Sequence, residues 1–168
     1  MLLARRRIRL ETDRLTLRAP VHSDFRDWST LRAQSQDFLT RWEPTWAGDH
    51  LTRKSFTNRV YWAQRAVSNG TAQAGTLGYW IGAPHARQGY MREAILALVH
   101  HAFQKMDLSR IEAACLPENA ASRGLLERSG FKYEGVAQSY LQINGRWRTH
   151  VLYSCLRLDR RGKTDAGL

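Results

Sequence analysis

The sequence has few cysteines, no long apolar run and little acidic charge, and each shortage removes a class of protein. Cys115 and Cys155 are its two thiols. Each lies inside an apolar run, so both read as buried and reduced, and nothing requires an oxidising compartment. No stretch approaches the ~18 consecutive apolar residues of a membrane-spanning helix. The opening Met1–Leu10 has two leucines before its arginines, too short an apolar start for a secretory signal. A cytoplasmic protein without membrane partners is the expectation. Internal repeats and low-complexity linkers are absent, so there is no natural place to cut a second domain. The histidines lack ligand spacing. His100 and His101 are adjacent on a helix and point ~100° apart, while His22, His50, His85 and His150 stand alone, so no metal is expected. The Gly-Lys-Ser/Thr of a Walker loop is missing, as is GxGxxG, and with them the readings that those motifs carry.

What is present suits one globular domain. The chain has 168 residues, 43% of them hydrophobic, enough to build a core. The net charge of +11 favours anionic partners: a nucleotide cofactor, nucleic acid, a ribosome surface or an acidic protein. Part of it sits in two tracts, Arg5–Arg9 and Asp159–Lys163, that read as solvated ends. The domain is assigned to 1–158, followed by a basic, flexible tail at 159–168.

Arg14–Ala19 alternates like a strand and is closed by Pro20. Ser23 offers a helix cap, with Phe25, Trp28 and Leu31 on the apolar face that follows. Leu39–Gly48 is a loop with two tryptophans, and Asp49–Ala66 reads as a helix. Thr76–Gly82 is a strand carrying glycines, a sign of close backbone approach. From Gly89 to Met106, apolar residues recur at helical spacing over four turns. Arg110–Leu116 is a strand, Asn119 caps a short helix, and Gly130 ends it. Tyr133–Ile143 and Arg146–Leu158 flank Asn144-Gly145, the strongest short hairpin signal. The order predicts an α/β fold, a mixed sheet with helices on its faces.

The strongest local signal is a strand, a loop, a glycine and a helix: TLGYWIG, APHARQG, YMREA. The open N–H groups and positive end of a helix N-terminus stabilise an anion, and glycine lets a phosphate approach. Arg87 and Arg92 add charge beside it. Taken in order, RWEPTW, LGYWIG, RQGYMREA, RIEAACLPENAASRGLLERSGF and the closing EG…Y…INGRW resemble the GCN5-related N-acetyltransferases (GNAT). Within them they look most like the RimJ/RimL branch, which acetylates protein N-termini, including those of ribosomal proteins. The resemblance covers most of Arg14–Leu158.

That resemblance implies a central sheet splayed open where Tyr79, Trp80 and Ile81 lie. Their main-chain groups would hold the pantetheine arm of acetyl-CoA and polarise its thioester. Arg87, Gln88, Gly89, Tyr90, Met91 and Arg92 would cradle the pyrophosphate. Asn119 would reach the pantetheine, in competition with its capping role. Ser122, one turn on, would touch the cofactor and protonate the departing thiolate. The implied reaction is direct attack by a neutral amine, with no covalent enzyme intermediate, so Cys115 is not a nucleophile. Glu112, Glu43 or water would take the amine's proton. Trp42 and Trp46 would line the acceptor groove, with Glu43 meeting the ammonium. The expected acceptor is a protein N-terminus or a ribosomal protein, with ribosome association and a monomer or homodimer as the assembly.

The chain departs from the family pattern in places. Ala86 opens the phosphate loop and Met91 stands at its last small position. The tyrosine that many relatives use as an acid falls on Leu126, and a glutamate used as a base falls on Leu141. Relatives have two antiparallel strands before LGYWIG. Val67–Gly75 is too short for both: either the central sheet is trimmed there or a segment is missing from the sequence, and the second is the expectation, because losing an interior strand would leave an unpaired edge. Two other readings compete: an acetyltransferase for a small amine or antibiotic, and a non-catalytic acyl-CoA-binding or RNA-associated module.

Overall fold

The computed structural model describes residues 8–66 and 74–158. The tail at 159–168, the front of the Arg5–Arg9 tract and most of Val67–Gly75 lie outside the described residues. Strands β1 (Arg9–Glu11) and β2 (Thr16–Arg18) form a small antiparallel hairpin. The first strand begins at Arg9, the last residue of the basic tract expected as a solvated end. Helices α1 (Phe25–Gln34), α2 (Gln36–Leu39) and α3 (Arg53–Ala66) follow. Then come β3 (Ala74–Thr76), α4 (Tyr90–Lys105), β4 (Arg110–Cys115), α5 (Ala120–Arg128), β5 (Lys132–Ile143) and β6 (Arg146–Leu156).

The main sheet has the order β3-β4-β6-β5. Strand β3 runs parallel to β4, and the remaining pairs are antiparallel, as the mixed α/β expectation requires. Successive residues of β4 face opposite ways. Ile111, Ala113 and Cys115 are buried against Ile95, Val99 and Ala102 of α4, Leu126 of α5, and Val151 and Tyr153 of β6. Each such large apolar side chain contributes ~1.5–3 kcal/mol when buried. A second apolar cluster joins the early helices, where Trp28 meets the Phe56 ring at 5.0 Å and Val60 is fully buried. Neither thiol is in a disulfide among the described residues; Cys115 is buried and Cys155 half-buried.

Local chemistry moved several element boundaries. Ser23 caps nothing; it lies in a 3-10 turn, His22–Asp24, and the Asp24 carboxylate accepts from Val21 N–H at 2.9 Å. The helix expected from Asp49 begins at Arg53, because the Thr52 hydroxyl accepts from Ser55 N–H and fixes the start there. Asn119 caps α5 as expected, and Gly130 follows that helix at φ 87. Asn144 and Gly145 turn the hairpin at φ 52 and φ 74, the signs a type I′ turn needs.

Candidate active site

The site begins where the sheet opens. The β3–β4 ladder ends with Leu77 N–H donating to Glu112 O at 2.7 Å. Beyond that bond β4 continues to Cys115, paired with β6. Gly78–Ile81 has left the ladder, and its main-chain groups have no hydrogen-bond partner among the described residues. The strand expected at Thr76–Gly82 is therefore ladder only at its first residue. Its remainder is one arm of an opening between two parallel strands. Neighbouring side chains on this arm face opposite ways. Tyr79 packs against the core and its hydroxyl meets Ser122 Oγ at 2.6 Å. Trp80 faces the early helices, where its ring lies 4.6 Å from the Arg32 guanidinium.

The second part is the loop into α4. Ala86 N–H still bonds to Ala83 O, and the first helical bond is Glu93 N–H to Gly89 O. Between them, the N–H groups of Arg87, Gln88, Gly89, Tyr90, Met91 and Arg92 have no acceptor among the described residues. Arg87 at φ 62 and Gly89 at φ 83 curl this run into a concave nest, a geometry that gathers amides around an anion. Arg14 braces it from outside. Its guanidinium bonds to Gln88 O at 3.1 Å, pairs with Glu93, and lies over the Tyr90 ring. Arg92 Nε donates to Arg128 O at 3.1 Å, so its side chain is turned to the end of α5 and its main chain faces the nest.

The third part is the start of α5. Asn119 Oδ1 accepts from Ser122 N–H at 3.0 Å. Its amide nitrogen has no partner among the described residues. The cap therefore occupies Oδ1 alone and leaves the amide nitrogen open to a ligand. Burial pushes the Tyr79 phenol above its ordinary pKa, and it stays neutral. Burial likewise raises the Cys115 thiol, which argues against a thiolate nucleophile. Glu112 is not brought to this place. It projects from the other face of β4, where Arg110 Nε donates to it at 2.7 Å while Arg110 Nη1 donates to Glu134 at 3.0 Å. Leu126 is fully buried in the core, and Leu141 is exposed on β5.

The fourth part is a cavity of about 350 Å³ beside Trp80, lined in part by Arg32, Glu43, Trp46, His50 and Arg59. Arg32 is 3% exposed and lies between the Trp46 and Trp80 rings, 4.6 Å from each. Glu43 accepts from Arg32 Nη2 and from Trp46 Nε1. Trp42, expected here, is not part of the lining. Sequence reading missed Arg32, His50 and Arg59. Arg32 was the most accessible of these, since it stands four residues after Trp28 on the buried stripe of α1.

The family model for the acetyltransferase (GNAT) domain matches residues 66–132, which include the open arm, the nest and α5. The chain is 31% identical to the [ribosomal protein uS5]-alanine N-acetyltransferase of Escherichia coli (strain K12), over 87% of this chain and 89% of that one. The chain belongs to the GNAT acetyltransferase family. Within it, this acetyltransferase is of the RimJ/RimL type. It is 37% identical to the probable N-acetyltransferase YjcK of Bacillus subtilis (strain 168), though it spans only 51% of that protein's length. Among solved structures it is similar to Mycobacterium smegmatis RimJ in complex with CoA-disulfide. The TM-score is 0.77 at 25% identity, over 84% of this chain and 81% of that one. The nest of unpaired amides in this acetyltransferase fits the diphosphate of such a ligand.

Proposed function

We propose that this protein transfers the acetyl group of acetyl-CoA to the α-amine of a protein N-terminus by direct attack, with a ribosomal protein as the acceptor class. The observation that carries the reading is the run of unpaired N–H groups from Arg87 to Arg92 beside the open arm Gly78–Ile81. The first supplies a seat for a diphosphate. The second offers N–H groups to an acetyl carbonyl, and to the negative charge that develops on its oxygen. The Asn119 amide, free of its cap, holds the pantetheine. The amine enters from the Trp80 side, forms the N–C bond and loses a proton, while the C–S bond breaks on the Ser122 side. Ser122 passes a proton to the sulfur and takes one back from the water that received the amine's proton, so that the free thiol of CoA leaves.

An α-amine, with a pKa near ~8, is about one-tenth neutral at pH 7. Glu112 is tied to Arg110 on the outer face of β4, and Glu43 already accepts from Arg32 and Trp46, so water takes the amine's proton. The named acceptors of relatives, such as the uS5 alanine of the Escherichia coli enzyme, suggest the acceptor class.

Calorimetry with acetyl-CoA, followed by thiol release with a panel of N-terminal peptides, tests the reading. Binding with release on peptides supports it. Release with small amines alone would move the acceptor to a metabolite or antibiotic. Binding without release would leave an acyl-CoA-binding module, and no binding at millimolar coenzyme A would remove the nest from the argument.

A further inference from the structure

The cavity beside Trp80 is lined by two guanidiniums, Arg32 and Arg59, and one carboxylate, Glu43. Among the described residues, Glu43 is its one lining carboxylate, and Arg32 and Trp46 already use it. Arg59 has no carboxylate partner among them. It lies instead 3.2 Å from His50 Nδ1. A guanidinium can only donate, so Nδ1 is the acceptor and the proton of the neutral imidazole lies on Nε2. That Nε2, together with Arg32 Nε, is buried in the wall without a partner.

The electrostatics point the same way. Burial first, then Arg59 and Arg32, pushes the His50 pKa down. Burial and the like charge of Arg32 also hold Arg59 below its ordinary value. The wall holds two guanidiniums and one carboxylate, which pairs with Arg32 alone, and it is left with an uncompensated positive field.

We propose that this cavity seats the acceptor and selects an amine bearing a carboxylate one or two residues from the reacting nitrogen, with Arg59 as the cation that meets it. The proposal rests on the acetyl-transfer reading above and names the substrate class of the same site. Trp80 supplies the reach. Its main chain belongs to the open arm where the amine reacts, and its ring lines the cavity. One aromatic side chain spans about two residues of extended peptide, at ~3.5 Å each. The volume of about 350 Å³ is at the small end of ligand cavities, ~300–1,000 Å³, and suits a side chain or two. A lysine at the same place would meet Arg59 and be rejected by like charge.

Trp46 and Trp80 make the cavity its own reporter. Tryptophan fluorescence is titrated with N-acetyl-Ala-Asp-amide, N-acetyl-Ala-Asn-amide and N-acetyl-Ala-Lys-amide. None has a free amine, so binding is read without turnover. The aspartyl compound is expected to bind about tenfold more tightly than the asparaginyl one, as a charge-assisted hydrogen bond implies, and the lysyl compound least. Arg59→Gln should abolish the Asp-over-Asn preference, and Arg59→Lys, which keeps the charge, should retain most of it. N-acetylalanine, with only a main-chain carboxylate, separates a free amino acid from an acidic second residue as the source. Equal affinity for the aspartyl and asparaginyl compounds, or an unaltered preference in Arg59→Gln, overturns the proposal. A separate arm follows thiol release with Ala-Asp, Ala-Asn and Ala-Lys peptides. No release with any of them defeats the acetyl-transfer reading and leaves the binding preference standing as a fact about the cavity. Fastest release with Ala-Lys defeats the selectivity itself.

Discussion

Tyr79 serves the site twice, through its main chain on the open arm and through a phenol that meets Ser122 Oγ at 2.6 Å. Tyr79→Phe keeps the ring in the core and removes only the hydroxyl. The lost hydrogen bond should cost about 1 kcal/mol of stability. With Ser122 no longer oriented, kcat should fall about tenfold, while the KM for acetyl-CoA stays close to that of the parent. Ser122→Ala should likewise slow thiol release more than it weakens binding. If the phenol acts through the serine, Tyr79→Phe adds no further loss in a Ser122→Ala background. Thiol-release kinetics on both single variants and the double variant decide this, and full additivity would place the phenol's action elsewhere. Ser122 and Asn119 could be found in the sequence because they sit in one contiguous run, PENAAS. The Tyr79 hydroxyl could not, because its contact with Ser122 spans 43 residues and no local pattern encodes it. Arg59 was hidden for a related reason. On α3 it looks like any solvated arginine, and its role depends on a cavity formed with α1 and the tryptophan loop.

At the scale of elements, the extended character of LGYWIG was legible from its composition. Its departure from β4 was not, since pairing is decided by a strand elsewhere in the chain. The opening is held by contacts at its far end. Ser35 Oγ of the α1–α2 junction accepts from Ala83 N–H at 2.9 Å. A Cβ added at Gly82 would lie 2.4 Å from Leu31 Cδ1 and 2.7 Å from its Cγ. Gly82 has an ordinary φ of −65, so glycine is needed there for space and not for conformation. Gly82→Ala should push α1 outward and cost about 1–3 kcal/mol through overpacking. Because α1 carries Arg32, the acceptor KM should rise while acetyl-CoA affinity changes little; paired melting curves and KM values check both. The β1–β2 hairpin is tied to α4 by Glu93, whose pKa is lowered first by the Thr12 hydroxyl and then by Arg14. A lowered folded-state pKa means that the tie is fully present above the ordinary carboxylate pKa, near ~4.3, and is lost as pH falls through the depressed value. Glu93→Gln should therefore be less stable than the parent at pH 7, and the gap should close on acidification. A gap independent of pH would mean that the ionised carboxylate is not what holds the hairpin.

The whole molecule combines a family fold with a strong positive field. The α/β order and the closing hairpin were legible because periodicity and turn residues are local signals. The alignment to the uS5 enzyme runs over 173 positions yet covers 87% of these 168 residues, so that relative carries residues this chain does not. The net charge of +11 acts at long range on any approaching acceptor, and its action differs from that of Arg59 inside the cavity. Salt separates the two. Exposed charges more than ~10 Å apart are largely screened at 0.1 M ionic strength, whereas a partly buried pair is screened much less. Raising KCl from ~20 to ~300 mM should lower kcat/KM for an acidic acceptor severalfold, because the encounter loses its steering. A neutral acceptor of equal length should change little. Part of the acidic peptide's advantage should survive at the high-salt end, since Arg59 meets its carboxylate in a site shielded by Trp46 and Trp80. That surviving part should disappear in Arg59→Gln, while the salt-sensitive part remains. Identical salt profiles for the two acceptors would show that the surface field does not guide the acceptor to this site.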